Sequence, residues 1–351
     1  MIGVVELIAL ALAGGVSAVA PIFVKPLLIH VGVVDVPNER SSHEKPTLRG
    51  VGIAQLLGII CAGLVLVFYF GTSSNGLIVG TVLLAAILTS ILGLVDDIKG
   101  TRGLSPLVRL TSQLMIGIAV AVYLALIMGV GSRVLLLGIA LIGAFVFAAY
   151  TNITNFMDGI NGISGMHAVV AGVTYALIGF VTGLEWLQVI GLLLAIVYLV
   201  FLPWNLLKPG AFLGDVGSYL LGAIIGSTFI VGVLSNVPWL TLVGPLVIYL
   251  CDTTITAGKR LLKGQDILKS HHEHVYQQLL EKGMSHIHVA LIVTGLSIIT
   301  GGLGSVVLWR PNTIYAVSVV VCMLLIVAVY FSIPLWSRKV VSYANSLSEV
   351  S

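Results

Sequence analysis

Long apolar runs recur along the whole chain, and no other feature limits its fold as strongly. An apolar stretch of about 18 or more residues with few charges is long enough to cross a bilayer as a helix. The chain of 351 residues is 58% hydrophobic and only 9% charged, whereas soluble domains carry roughly 25% charged residues. We therefore predict an all-α fold, a polytopic transmembrane helical bundle. The predicted spans, about 11 in all, are residues 3–23, 51–70, 77–95, 109–128, 134–150, 166–183, 188–204, 217–234, 239–257, 287–308 and 314–336.

The first run ends in SAVAP (17–21), a small-residue stretch of the kind at which signal peptides are cleaved. A signal peptide also needs a basic segment before its apolar run, and here Glu6 is the only charge before Lys25. We expect the run to be retained as the first span, with the N-terminus outside. Transmembrane strands are disfavoured, because the runs are continuously apolar rather than alternating. The three cysteines show no paired or ligand-like spacing and indicate no disulfide.

Basic residues fall on one side of the predicted spans. With the N-terminus outside, all of the 17 lysines and arginines except Arg133 and Arg310 lie in inner segments. The positive-inside rule supports that orientation and a cytoplasmic C-terminus. We interpret the net charge of +3 as topology and attraction for an anionic partner, not as nucleic-acid binding. Nearly every acidic residue also lies in an inner segment, so the candidate chemistry collects on the cytoplasmic face.

The first inner segment, DVPNERSSHEKPTLRGVGIA (35–54), combines basic side chains with turn residues. His43, Lys45 and Arg49 offer donors to an anionic ligand, and the glycines allow close approach of the backbone. Ordinary positive-inside charge is the alternative, but the placement of proline and glycine favours a shaped loop.

The second inner segment, GLVDDIKGTRGLSPLVRL (93–110), places Asp96 and Asp97 together at the end of a span. A carboxylate within the bilayer costs about 2.5–3.5 kcal/mol on insertion scales, and a helix C-terminus is the wrong end of the dipole for it. We expect compensation by a metal ion or by a nearby cation such as Arg109. A solvated acidic loop is the alternative.

The third segment, TNITNFMDGINGISGM (151–166), interrupts the apolar sequence with amides and a carboxylate. If the helix continues here, Asn155 and Asp158 share one face, and Asn161 follows three residues later. Such a stripe suits an oxygen-preferring cation or a polar ligand. Capping and turn formation explain one asparagine and the GING turn, but not all four polar side chains, Asn152, Asn155, Asp158 and Asn161.

Two later segments add a carboxylate and further cations. In NLLKPGAFLGDVGSYLLG (205–222), Asp215 is a candidate N-cap of the eighth span and a candidate metal ligand. The long inner segment that follows the ninth span carries Arg260, His271 and His274, which we interpret as donors to phosphate. A basic segment lying on anionic lipid is the alternative. Zinc is not supported, since no well-spaced ligand set accompanies the histidines.

Together these segments offer carboxylates and amides beside many cations. Carboxylates, waters and substrate phosphates are the usual ligands of magnesium, and the cations suit a polyanionic substrate. Phosphoryl transfer at the membrane surface is the chemistry that this set of groups can perform.

Five motifs in this order, RSSHEKPTLRGVG, GLVDDIKG, NFMDGINGISG, FLGDVGS and HHEHVYQQL, resemble the polyprenyl-phosphate N-acetylhexosamine-1-phosphate transferase family, glycosyltransferase family 4. The resemblance covers nearly the whole chain. It implies a single integral membrane transferase domain over 1–351, with 258–286 as a basic, histidine-rich cytoplasmic loop. The implied reaction moves sugar-1-phosphate from a UDP-N-acetylhexosamine to a polyprenyl phosphate such as undecaprenyl phosphate, and releases UMP. The implied cofactor is Mg²⁺, with Mn²⁺ as an alternative.

The resemblance also implies roles for the candidate residues. Those placed at the reacting groups are Asp96, Asp97 and Asp158, of which the acidic pair handles the lipid phosphate. Asn155 and Asp215 are implied metal ligands. The implied substrate-binding residues are His43, Lys45, Arg49, Arg109, Asn161, Arg260, His271 and His274, with Asn161 near the uridine and the histidines near the donor phosphates.

Departures from the family pattern bear on the role of Asn161 and on the branch of the family to which the chain is similar. Asn161 stands where many bacterial relatives have aspartate, which makes a metal role there less expected. SHHEHVYQ and KPTLRG differ from the muramoyl-pentapeptide transferase pattern, and they favour initiation of O-antigen or another surface polysaccharide. A transporter of an anionic substrate and the peptidoglycan branch remain alternatives. A CDP-alcohol phosphotransferase is disfavoured, because its spaced aspartates are missing after Asp158. The hexosamine, the polyprenol length and the oligomeric state, including a homodimer, stay open.

Overall fold

The computed structural model describes residues 2–35, 47–100, 103–207, 211–265 and 273–348, and side chains up to residue 336 in the last helix. The helices are α1 (Val4–Val19), α2 (Pro21–Val31), α3 (Ile53–Phe70), α4 (Ser74–Lys99), α5 (Pro106–Ile127), α6 (Arg133–Met157), α7 (Ile163–Thr182), α8 (Glu185–Leu199), α9 (Leu202–Leu206), α10 (Gly214–Leu234), α11 (Trp239–Val243), α12 (Val247–Leu262), α13 (Val275–Glu281), α14 (His286–Trp309) and α15 (Thr313–Ser348). Two short strands, β1 (Val34–Asp35) and β2 (Thr47–Leu48), form an antiparallel pair.

The prediction of a bundle of membrane-spanning helices is confirmed. Within the described ranges, ten helical segments are long and apolar enough to cross a bilayer. A bent pair, α1 with α2, makes an eleventh if the pair is counted as one span. The predicted count of about 11 therefore agrees with the structure only if that pair crosses the membrane.

Three of the predicted spans are not continuous helices. The first is bent by 43° between α1 and α2, where Pro21 begins the second helix. The seventh breaks between α8 and α9 just before Pro203, and the ninth contains a 3₁₀ turn, Gly244–Leu246, between α11 and α12. Proline has no N–H to donate and clashes with the preceding turn, so it sits where a helix starts or breaks.

Helix α10 lies at the centre of the bundle. Of its most apolar 18-residue stretch, 89% is buried, against 22% for α15, which lies at the edge. Close packing around α10 depends on small residues: a Cβ added to Gly93 of α4 would lie 2.3 Å from the carbonyl oxygen of Asp215. Small residues at such crossings let membrane helices approach closely.

The segment after β2 pairs with the segment before α10. The N–H of Phe212 donates to the carbonyl of Leu48 (2.8 Å), and the N–H of Val51 donates to the carbonyl of Phe212 (3.1 Å). This pairing fixes Arg49 beside the first turn of α10. The ends of α4 and α6 meet the same turn, and we call this end of the bundle the site end.

Candidate active site

The acidic pair at the end of α4 faces the beginning of α10. Asp97 Oδ1 accepts the N–H of Asp215 (3.1 Å), and its Oδ2 accepts the N–H of Val216 (3.0 Å). The N-terminus of a helix presents unpaired N–H groups and the positive end of the dipole. Asp97 therefore caps α10 from a neighbouring helix. The prediction that Asp215 caps its own helix is wrong, because α10 begins at Gly214 and Asp215 lies within its first turn.

Arg49 joins two of the carboxylates. Its Nε lies 2.7 Å from Asp97 Oδ1, and its Nη2 lies 2.7 Å from Asp215 Oδ1. The Asp97 side chain is fully buried, whereas the Arg49 side chain is 34% exposed. The guanidinium therefore neutralises buried charge, and the Arg49 side chain as a whole stays partly exposed.

Asp96 is held from α5 and from the loop before it. The N–H of Leu104 donates to Asp96 Oδ1, and Arg109 Nη1 lies 3.2 Å from Asp96 Oδ2. The predicted compensation by Arg109 therefore applies to Asp96. Asp97 pairs instead with Arg49, from a different segment.

Asp215 retains one oxygen with no donor. Asn155 Nδ2 donates to Asp215 Oδ1 (2.7 Å) and to Ser218 Oγ (3.1 Å). Asp215 Oδ2 is buried and, among the described residues, accepts no hydrogen bond. The carboxyl group of Asp96 lies close enough to interact with Asp215. A buried carboxylate oxygen in this position requires a proton or a cation.

A divalent cation fits this arrangement. Within the described part of the chain, no three His, Cys, Asp or Glu side chains are grouped as a metal site. Magnesium, however, is commonly held by one or two carboxylates together with substrate phosphates and water. Asp215 and Asp96 supply two carboxylates and Asn155 an amide, which is a donor set of that kind.

Asp158 lies just beyond the end of α6. The helix ends at Met157, and the N–H of Asp158 donates to the carbonyl of Asn155 (3.2 Å). The expected stripe on one helical face therefore stops before Asp158. Burial raises the pKa of this carboxyl group to about 8, and the charge of Asp215 contributes in the same direction. Asp158 is thus a carboxyl group that exchanges a proton near neutral pH.

The turn after Asp158 is fixed by residues from distant segments. The N–H of Gly162 donates to Asn205 Oδ1 (2.5 Å), and the N–H of Asn161 donates to His286 Nδ1 (3.4 Å). Asn161 Oδ1 is buried without a hydrogen-bond partner in the described structure. Asn205 and His286 were not singled out from the sequence, since only the fold brings them to this turn.

The basic loop residues belong to a second cluster. Arg260 forms an ion pair with Glu273 (2.7 Å), and His274 Nδ1 lies 3.3 Å from Asp252 Oδ1. Tyr276 connects this cluster to the turn, since its hydroxyl donates to the carbonyl of Phe156 (3.1 Å). His43, Lys45 and His271 lie outside the described residues.

The site residues divide into three groups. The structure brings Asp96, Asp97, Asp215, Asn155, Arg49 and Arg109 together around the first turn of α10. Asp158 and Asn161 occupy the adjoining turn, and Arg260 and His274 lie beyond it. Such a site can bind a cation between carboxylates and a polyanion against guanidinium groups.

A bundle of membrane-spanning helices with this cluster at one end defines an integral membrane enzyme that acts on phosphorylated compounds. The sequence profile of glycosyl transferase family 4 matches residues 79–233. Decaprenyl-phosphate N-acetylglucosaminephosphotransferase of Mycolicibacterium smegmatis is 30% identical over 350 residues, covering 86% of this chain and 83% of its own. The chain belongs to glycosyl transferase family 4, and it is a phosphosugar transferase.

Two further relatives are named for different sugar substrates. The probable undecaprenyl-phosphate N-acetylglucosaminyl 1-phosphate transferase of Bacillus subtilis is 27% identical over 288 residues, covering 79% of this chain and 78% of its own. The phospho-N-acetylmuramoyl-pentapeptide-transferase of Streptococcus pneumoniae is 26% identical over 274 residues, covering 71% of this chain and 79% of its own. Both are named as transferases, so the family offers no support for the transporter alternative.

Proposed function

We propose that the protein transfers N-acetylhexosamine-1-phosphate from a UDP-sugar to undecaprenyl phosphate and releases UMP. The N-acetylglucosamine transferases of Mycolicibacterium smegmatis and Bacillus subtilis support this reaction by their names. The observation that carries the proposal is the buried, donorless oxygen of Asp215 beside Asp96, flanked by Arg49 and Arg109. That arrangement suits a magnesium-bound diphosphate better than a neutral ligand.

The distribution of basic residues supports the orientation of the enzyme. With an outer N-terminus, the site end faces the cytoplasm, where UDP-sugars are available, and the C-terminus is cytoplasmic. The protein then acts at the cytoplasmic face of the inner membrane. Its product begins O-antigen or another surface polysaccharide, as the loop sequences favour.

The residues of the site have separate roles in this reaction. Asp215, Asp96 and Asn155 hold Mg²⁺, or Mn²⁺ in its place; when bound, the cation offsets negative charge on the diphosphate. Arg49 and Arg109 bind phosphate oxygens. Asp97 positions Arg49 and the first turn of α10, and the Asn161 amide takes the uridine of the donor.

The chemical step is a displacement at the sugar-bearing phosphorus. A phosphate monoester has a second pKa near 6, so the acceptor is largely a dianion at neutral pH. One of its oxygens forms a bond to that phosphorus, and the bond to the UMP oxygen breaks, which leaves a lipid-linked diphosphate sugar. Asp158 accepts the acceptor's last proton when one remains, since its pKa of about 8 lies near the operating pH.

A panel of UDP-sugars tests this function. Purified protein with undecaprenyl phosphate and Mg²⁺ should release UMP and form lipid-linked product with an N-acetylhexosamine donor such as UDP-N-acetylglucosamine. UDP-N-acetylmuramoyl-pentapeptide is included because of the Streptococcus pneumoniae relative. Product from that donor alone would move the enzyme to the peptidoglycan branch. No product from any donor would overturn the proposal.

A further inference from the structure

Asp252 is an aspartate inside the predicted ninth span, and the reaction above gives it no role. It lies in α12, where its side chain is completely buried. Placing a carboxylate within a membrane helix costs free energy, so such residues are usually paired with another group and have a function. The basic loop residues named above all follow it in the sequence.

Asp252 accepts hydrogen bonds from two other helices, α13 and α15. Its Oδ1 accepts the N–H of Val275 (3.1 Å), which is the first residue of α13, and lies 3.3 Å from His274 Nδ1. Its Oδ2 accepts the hydroxyl of Tyr330 in α15 (2.7 Å). Tyr330 is fully buried, so α15 fixes the carboxylate and the carboxylate fixes the start of α13.

The side chain of His274 meets both Asp252 and the first turn of α13. Its Nδ1 lies 3.3 Å from Asp252 Oδ1, and in the capping box of α13 the side chain accepts the N–H of Gln277. The orientation of a histidine ring is commonly fixed by the groups that its nitrogens meet. The His274 ring is further stacked on Tyr276, with centroids 5.7 Å apart.

Tyr276 links this arrangement to the active-site turn. Its hydroxyl donates to the carbonyl of Phe156 (3.1 Å). A Cβ added to Gly159 would lie 2.2 Å from that hydroxyl, so α13 rests directly on the backbone beside Asp158. A displacement of α13 would therefore move His274 relative to the carboxylate cluster.

We propose that Asp252 is a positioning residue: it presets His274 and α13 over the turn that carries Asp158, for contact with the diphosphate of the nucleotide sugar. The inference rests on the proposed function. It adds that a residue which touches no substrate controls how His274 is placed for the UDP-sugar. Tyr330 contributes from the edge helix by holding the second oxygen of Asp252.

A double-mutant cycle tests this role. Asp252→Asn should lower kcat/KM for the accepted UDP-sugar about 10-fold or more, as loss of an orienting partner commonly does. The effect should appear in the KM for the UDP-sugar and leave the KM for undecaprenyl phosphate unchanged. Because Asp252 acts through His274, the same substitution in a His274→Ala background should add less than about 2-fold.

Tyr330→Phe gives a milder test with a matched control. It should raise the KM for the UDP-sugar several-fold, whereas Tyr175→Phe should leave that KM unchanged. Tyr175 also loses a buried hydroxyl bond, to the carbonyl of Leu242 (3.1 Å), but in the membrane part of the bundle. Deuterium exchange of residues 273–281 should accelerate in Asp252→Ala and not in Tyr175→Phe.

The outcomes separate the inference from the function. An active wild type in which Asp252→Asn has equal effects in both backgrounds, or lowers only thermal stability, would overturn the inference alone. A wild type that is inactive with every donor would overturn the proposed function, and the inference with it.

Discussion

Two buried aspartates, Asp97 and Asp252, use the same local device in different surroundings. Each accepts the N–H of a residue in the first turn of a helix to which it does not belong: Asp97 at α10 and Asp252 at α13. Each is therefore a helix cap supplied by a neighbour. Around Asp97 the other groups are Arg49 and two more carboxylates, whereas around Asp252 they are a tyrosine hydroxyl and an imidazole.

The difference lies in what remains unpaired. Both oxygens of Asp252 accept hydrogen bonds, so that cluster needs no further ligand. Near Asp97, the Oδ2 atom of Asp215 is buried and has no donor within the described structure. A buried acceptor of this kind costs free energy unless a ligand satisfies it. The first cluster is therefore organised to bind, and the second to hold a loop in place.

Removal of the Asp97 carboxylate should give the largest loss of stability. Asp97→Ala removes one of the two buried carboxylates that pair with Arg49 and leaves α10 without its cap, and breaking a buried ion pair costs about 3–5 kcal/mol. We expect a correspondingly lower free energy of unfolding in detergent and loss of UMP release. Glu185→Ala, at the opposite end of the bundle, should cost far less, although it loses a bond from Asn75 (2.7 Å). Equal losses would remove the special role of Asp97.

Asp252→Ala should destabilise the protein less, and this difference sharpens the comparison. It leaves hydroxyl and N–H donors unpaired but breaks no ion pair with a guanidinium group, and an unsatisfied buried donor costs about 1–3 kcal/mol. We expect its free energy of unfolding to lie between those of the wild type and Asp97→Ala. If Asp252→Ala lowered the free energy of unfolding as much as Asp97→Ala, the ion pair with Arg49 would not distinguish the two clusters.

A further prediction concerns the pH dependence of stability. Burial raises the pKa of Asp158 from 3.8 to about 8, so the folded state favours the protonated carboxyl group. Its contribution is complete below pH about 4 and is lost as the pH rises through about 8. Wild type should therefore lose stability relative to Asp158→Asn over this range, as measured by thermal unfolding at several pH values. A constant difference between the two would contradict the shifted pKa.

Much of the fold follows from the sequence because bilayer thickness sets a length that apolar runs must match. The convergence of Asp96, Asn155 and Asp215 could also be predicted, since all three sit at span ends on one side of the topology. The helix breaks at Pro21 and Pro203 were not predicted, because one proline hardly changes the mean hydropathy of an apolar run.

Pairings between distant segments could not be read from spacing. Arg49 meets Asp215 across 166 positions, and Asp97 caps a helix that begins more than a hundred residues later. Asp252 was not predicted for a related reason. The free-energy cost of placing a single aspartate in an apolar span indicates that it has a role. Only the fold, however, shows that His274, Val275 and Tyr330 are its partners.

Binding of Mn²⁺, followed by electron paramagnetic resonance together with UMP release, tests the central claim most directly. Wild type should bind the ion in the presence of the nucleotide sugar. Asp215→Asn should lose that binding and lower UMP release about 10²–10³-fold, while Glu185→Gln at the opposite end should keep both. Retention of Mn²⁺ and near-full activity in Asp215→Asn would contradict the account.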